Sequence, residues 1–167
     1  ISDECKNVHV VNELDIPLAV LGISDAVIAA SPDGILISDK NASPRVKEIA
    51  NFNLRPMYEE RLWGWTKVLD FTKNKEGDEV LTKKVGINAG RNLSYQLHHN
   101  RKEVWTIISG EGLFVLEGCL ITVKVGDVLE IPPESRHAVK AITDLVFIEV
   151  QSGKHLVAED VVRLCMS

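Results

Sequence analysis

From residue 62 onward, short apolar runs alternate with turn residues: 63–69, 80–85, 94–97, 104–108, 112–116, 120–123, 128–131, 138–140 and 145–150. Each run is too short for a core helix and is rich in β-branched or aromatic residues, so each predicts a strand. Glycines at 86, 90, 110, 112, 118 and 126 punctuate the series, and the polar stretch 73–78 reads as an exposed turn. So many short strands at this turn density predict an all-β, double-sheet jelly-roll barrel, an architecture that limits exposed edges and leaves room for a pocket. Trp63, Trp65, Tyr95 and Trp105 belong to core or rim packing. The tail 159–164 is expected to add one last strand over an edge.

The first forty residues have a different texture. Apolar runs at 8–11, 18–21, 27–30 and 35–37 predict strands, with Ser31-Pro32-Asp33-Gly34 as the clearest turn. Such segments fit a small β-roll or β-helix-like junction that needs a neighbour to stack on. A short linker helix follows, with Ser43 as its expected N-cap, Pro44 at the first helical position and Val46, Ile49 and Ala50 on one apolar stripe. The expected organisation is therefore 1–40 junction, 41–54 linker helix and 55–167 barrel.

Composition narrows the function classes. The chain has 167 residues, 45% hydrophobic and 26% charged, enough for one good core. A net charge of -5, with no basic cluster beside aromatics, argues against a nucleic-acid partner. No apolar run reaches the roughly 20 residues needed to span a bilayer, and the expectation is a soluble, cytoplasmic protein. A first residue other than Met suggests an excised or processed chain. Cys5, Cys119 and Cys165 form no disulfide framework or thiolate knuckle, and Cys119 reads as a buried or half-buried hydrophobe.

The candidate chemistry lies in His98-x-Asn100-x-x-Glu103 and a distant His137. Alternation along a strand puts His98 and Asn100 on one face and His99 on the other. A turn or bulge near Arg101-Lys102 would bring Glu103 back to that face. Two imidazoles, a carboxylate and a weaker amide oxygen from Asn100 suit a divalent ion such as Zn, Fe, Mn, Co, Ni or Mg. The alternative is a polar barrel mouth in which Glu103 pairs with a basic side chain and no metal binds.

Two segments carry a family resemblance. Residues 90–110, which hold the His98-x-Asn100-x-x-Glu103 spacing, and 126–137 resemble the two cupin motifs. Gln96-Leu97-His98-His99-Asn100-Arg101-Lys102-Glu103-Val104-Trp105, Ser109-Gly110, Ile131-Pro132 and the run 148–153 resemble the type II mannose-6-phosphate isomerase domain. Arg61-Leu62-Trp63-Gly64 is similar to that family's Arg-Pro-Trp-Gly, with leucine for proline. Residues 25–28, 33–40 and 46–49 resemble the junction after a mannose-1-phosphate guanylyltransferase core. The family's second metal histidine falls at Asn100, a further histidine at Val104, and Ala141 replaces a common asparagine.

The resemblance implies a cupin double-stranded β-helix and the C-terminal part of a guanylyltransferase involved in GDP-mannose synthesis. It implies a parent chain with an N-terminal nucleotidyltransferase domain, a sugar-phosphate ligand and a homodimer as further partners. The implied isomerisation interconverts mannose 6-phosphate and fructose 6-phosphate, around a metal held by His98, Glu103 and His137. Glu130 and Glu134 are the candidate bases, and Arg136, Arg101 and Lys102 the candidate phosphate contacts. Asn100 in place of histidine weakens the expected metal affinity and with it the isomerase activity. The alternative function is a noncatalytic sugar-phosphate-binding or dimerisation module on the same barrel.

Overall fold

The computed structural model describes residues 1–49 and 55–164. Its contacts divide the chain into two units, Ile1–Met57 and Tyr58–Ser167. In the first unit, β1 (His9–Asn12) pairs parallel with β2 (Ala26–Ser31), and β2 pairs antiparallel with β3 (Gly34–Asp39) through the expected Pro32-Asp33 turn. Alternation sets the inner row: Ala26, Ile28 and Ala30 are buried, together with Val20. The run 18–21 forms no strand; Leu21 is exposed and only Val20 turns inward.

The expected helix is shorter and starts differently. A 3-10 turn, Ser43–Arg45, leads into a single helical turn, Val46–Ile49, and no residue of either is buried. The cap position is Ala42, because the Ser43 hydroxyl donates instead to the Lys40 carbonyl at 2.9 Å. Ala50 and the rest of the expected helix, 50–54, lie outside the described residues.

The second unit carries the barrel strands: β4 (Tyr58–Arg61), β5 (Gly64–Lys73), β6 (Glu79–Ile87), β7 (Gln96–Leu97), β8 (Arg101–Ser109), β9 (Glu111–Leu116), β10 (Cys119–Lys124), β11 (Val128–Ile131), β12 (His137–Ala141), β13 (Leu145–Gly153) and β14 (Val162–Arg163). They form two sheets, ordered β11-β8-β13-β6-β5-β4 and β10-β9-β12-β7-β14. The interleaved order, with β8 and β13 in one sheet and β9 and β12 in the other, is that of a double-stranded β-helix. The tail forms a strand as expected, with β14 pairing β7 at the sheet edge. Strand β4 is additional to the expected series.

Alternating inward residues of both sheets fill the core, where Trp105 stacks on Phe147 at 4.5 Å and meets Phe114 edge-on at 5.5 Å. Gly110 closes the β8–β9 turn at φ +81, and a Cβ there would stand 2.1 Å from the Asp144 carbonyl oxygen. Cys119 opens β10 as an exposed residue, not a buried one, because it sits at the hairpin tip.

Candidate metal centre and adjoining cavity

Strand alternation assembles the centre. In β8 the residues Arg101, Glu103, Trp105 and Ile107 all point inward, and each is buried. His98 stands just before the strand. A bend at His99-Asn100, not one at Arg101-Lys102, brings His98 and Glu103 to the same interior despite their odd spacing. His137 opens β12 beside Gln96 of β7 and Leu116 of β9. The ligand atoms of His98, Glu103 and His137 lie within 4.8 Å of one another, and all three residues are buried.

Hydrogen bonds fix both imidazoles. His98 donates from Nδ1 to the Asp160 carbonyl at 2.6 Å, and His137 from Nδ1 to the Ser135 carbonyl at 2.9 Å. Each ring therefore turns an Nε2 lone pair toward the centre, the tautomer a metal ligand needs. Burial, with the nearby Arg101 charge, lowers the His98 pKa to about 4, and burial also lowers that of His137. Both rings are neutral near pH 7. Among the described residues, His137 Nε2 is a fully buried side-chain nitrogen with no hydrogen-bond partner. An orphaned lone pair in a buried site is costly unless something occupies it, so the donor set fits a divalent cation.

Glu103 is held from two sides. Its Oε1 accepts from Arg101 Nε at 2.8 Å and from Gln151 Nε2 at 3.2 Å, while Oε2 accepts from the Trp105 indole at 3.1 Å. The pairing of Glu103 with a basic side chain is thus present, and that side chain is Arg101. Its Nη2 also donates to His98 Nε2 at 3.2 Å. Asn100 takes no such position: it is exposed, and its amide donates to Asp160 Oδ1 at 3.3 Å.

The remaining candidates lie on the outer side of β8 and β11 or on the loop before β12. Arg136 pairs with Glu117 at 2.7 Å, with both side chains about half exposed. Lys102 pairs with Glu130, and Glu134 pairs with His99 at 2.7 Å; all four side chains are exposed. Arg136 and Lys102 therefore stand away from the interior, as do both candidate bases. For Lys102 and Glu130 the reason is period two, since each neighbours inward residues on its own strand; Glu134 and Arg136 stand on the exposed loop before β12.

A cavity of about 400 Å³ adjoins the centre, lined in part by Trp63, Lys83, Arg101, Glu149, Gln151 and Arg163. Lys83 and Glu149 are cross-strand partners on β6 and β13, with Nζ 3.8 Å from Oε2. Burial, followed by the neighbouring Glu103, raises the Glu149 pKa to about 7. Lys83 and Arg163 belong to no motif, and the family-like run 148–153 gives Glu149 and Gln151 no role of their own. Their signal lies in alternation: 145, 147, 149 and 151 share one face of β13, so a Glu and a Gln continue an otherwise apolar inward row.

Residues 54–165 match a family model described as mannose-6-phosphate isomerase C-terminal. A mannose-1-phosphate guanylyltransferase of Salmonella typhimurium is 29% identical over 96% of this chain and 34% of its own length. One from Escherichia coli K12 is 28% identical over 98% of this chain and 35% of its own length. The chain thus spans about a third of the curated relatives it matches. Among solved structures, an RmlC-like cupin from Shewanella frigidimarina aligns over 66% of this chain and 94% of its own, with TM-score 0.51 and 21% identity. A double-stranded β-helix protein from Klebsiella pneumoniae aligns over 66% of this chain and 84% of its own, with TM-score 0.50 and 19% identity. Both show a shared fold.

Proposed function

The chain belongs to the mannose-6-phosphate isomerase C-terminal family, and on that premise we propose that its barrel binds a hexose phosphate in the 400 Å³ cavity and interconverts its aldose and ketose forms. The observation that carries this reading is a buried carboxyl, Glu149, in a cavity wall that also holds Lys83, Arg101 and Arg163. Three cations suit a dianionic phosphate, since charge-assisted bonds supply both affinity and orientation. Isomerisation needs a base that removes the proton from C2 and returns it to C1. Glu149, with its pKa near 7, holds both protonation states near neutrality, as such a shuttle requires.

His98, Glu103 and His137 would hold a divalent cation. Such an ion polarises a carbonyl or hydroxyl oxygen and lowers the cost of charge developing there. The residues around it have separate tasks: Trp105 and Gln151 orient Glu103, and Ser135 and Asp160 fix the two rings. The reading extends to a larger protein in which this barrel would follow a guanylyltransferase domain serving GDP-mannose synthesis, supported by relatives named mannose-1-phosphate guanylyltransferase of which the chain covers about a third.

A second reading, a sugar-phosphate-binding module without turnover, is favoured by one observation. Arg101 already engages two of the three donor residues, and Asn100 adds none. A coupled assay for mannose 6-phosphate isomerisation, run with metal analysis and equilibrium binding of the same sugar phosphate, separates the two. Turnover that scales with bound metal supports the isomerase. Binding without turnover supports the module, and no binding overturns both.

A further inference from the structure

The triad does not open directly onto the cavity. Gln96, Arg101 and Gln151 line the cavity wall, and each hydrogen-bonds a member of the triad behind it. Arg101 is the central one. It is 7% exposed, with Nε on Glu103 Oε1 at 2.8 Å, Nη2 on His98 Nε2 at 3.2 Å and Nη1 on the Val157 carbonyl at 3.3 Å. His98 Nε2 and Glu103 Oε1 are 3.3 Å apart, and both are acceptors once the ring is neutral. Two acceptors at that distance repel unless a cation or donor serves both, and the guanidinium does so. Of the triad's donor atoms among the described residues, His137 Nε2, which the guanidinium does not reach, is left without a hydrogen-bond partner.

We propose that Arg101 is a built-in competitor for the divalent-cation site: its guanidinium holds the His98 and Glu103 donors, and an ion gains them only by turning Arg101 out toward the cavity. The inference rests on the triad being a metal site. Its basis is electrostatic and steric. A divalent ion and a guanidinium sharing one carboxylate oxygen repel, and each donor's inward lone pair can serve one of them at full strength. The displaced side chain has a destination, because Arg101 lines the cavity that also holds Lys83 and Arg163. A phosphate there gains a third cation when the metal binds, so metal and sugar phosphate reinforce each other's binding. Linkage requires the effect to be reciprocal.

The test is titration of Mn²⁺ into the protein, with free ion followed by its electron paramagnetic resonance signal, with and without mannose 6-phosphate. Arg101→Gln is expected to bind Mn²⁺ about tenfold or more tighter than the unmodified protein. Mannose 6-phosphate should tighten Mn²⁺ binding in the unmodified protein and do so much less in Arg101→Gln. Equal or weaker Mn²⁺ binding by Arg101→Gln overturns the competition while leaving the metal site standing. A gain that survives in Arg101→Gln/His137→Ala places the ion elsewhere and overturns both, as does absence of Mn²⁺ binding in both the unmodified protein and Arg101→Gln. Should Arg101→Gln fail to fold, Arg101→Lys carries the test. A lysine at 101 cannot span both donors, so it too must bind Mn²⁺ more tightly, and unchanged affinity there rejects the proposal.

Discussion

The Nε2 atom of His137 stands 3.7 Å from Oε2 of Glu103, and no hydrogen bond joins them. The ring's other nitrogen is committed to the Ser135 carbonyl, so Nε2 presents a lone pair to a carboxylate that also offers only lone pairs. Trp105 holds both groups in place: its indole donates to Glu103 Oε2, and its ring packs edge-on against His137 at 5.7 Å. Two facing acceptors of this kind suit a cation between them, and the residue that positions both is the one that anchors the core.

Removing either donor should therefore empty the site. His137→Ala and Glu103→Gln are each expected to reduce bound Zn, Mn or Co to background after dialysis, measured by inductively coupled plasma mass spectrometry, and His98→Ala likewise. Asn100→Ala should leave the metal content unchanged, because the Asn100 amide is spent on Asp160. Metal retained at the unmodified stoichiometry in His137→Ala would reject the ligand set.

Glu149 gives the protein a pH signature. Its folded pKa, near 7, lies above the ordinary 4.5, so the folded state keeps the proton longer than the unfolded chain does. Its contribution is complete below about pH 4.5 and is lost as the pH rises through 7. Glu149→Gln mimics the protonated form and abolishes that loss. The variant should match the unmodified protein in stability at pH 4.5 and exceed it by about 3 kcal/mol above pH 7. Urea denaturation at the two pH values measures this, and an equal difference at both would discard the raised pKa.

Much of this was legible in the sequence because it depends on period two. The barrel strands and the Gly110 turn follow from alternation and turn chemistry, whereas the meeting of His98, Glu103 and His137 needs a bend before β8 and the pairing of distant strands. The errors have the same origin. Placing the irregularity at Arg101-Lys102 instead of His99-Asn100 put Asn100 on the His98 face and left the direction of Arg101 open; the bend sends Asn100 to Asp160 and turns Arg101 inward. Lys102 and Arg136 drew attention by standing next to a donor in sequence, and Glu130 and Glu134 by lying on the segment that leads to His137. On a strand one residue's shift means the opposite face, as at Lys102, and the loop 132–136 holds Glu134 and Arg136 outside. The pairing of Lys83 with Glu149 was hidden because it joins two strands over a separation of sixty-six residues, which no local motif records.

Close approach across β5 and β6 supplies a stability test. Trp65 and Gly86 are register partners, and a Cβ on Gly86 would fall 2.4 Å from the indole Cε2. Gly86→Ala must push the ring aside and should cost about 1–3 kcal/mol. Trp65→Leu in the Gly86→Ala background should recover part of that loss, since the smaller side chain vacates the overlap. Urea midpoints of the three variants decide it, and Gly86→Ala with unchanged stability would show that the ring does not hold this position.

The phosphate assignment separates two sets of cations. Lys83 and Arg163 line the cavity, whereas Arg136 is paired with Glu117 on the outer surface. An exposed pair of that kind contributes little beyond its own site, because solvent screens it. A cation in direct contact with a bound phosphate is worth about 1.5–3 kcal/mol through a charge-assisted bond. Lys83→Met and Arg163→Ala should therefore each weaken mannose 6-phosphate binding about tenfold or more, with Arg136→Ala unchanged. Unphosphorylated mannose provides the control, since losing a phosphate contact leaves its affinity untouched. Calorimetric titration of both sugars reads the difference. Loss of binding in Arg136→Ala alone would move the phosphate to the outside of the barrel and remove the cavity from the mechanism.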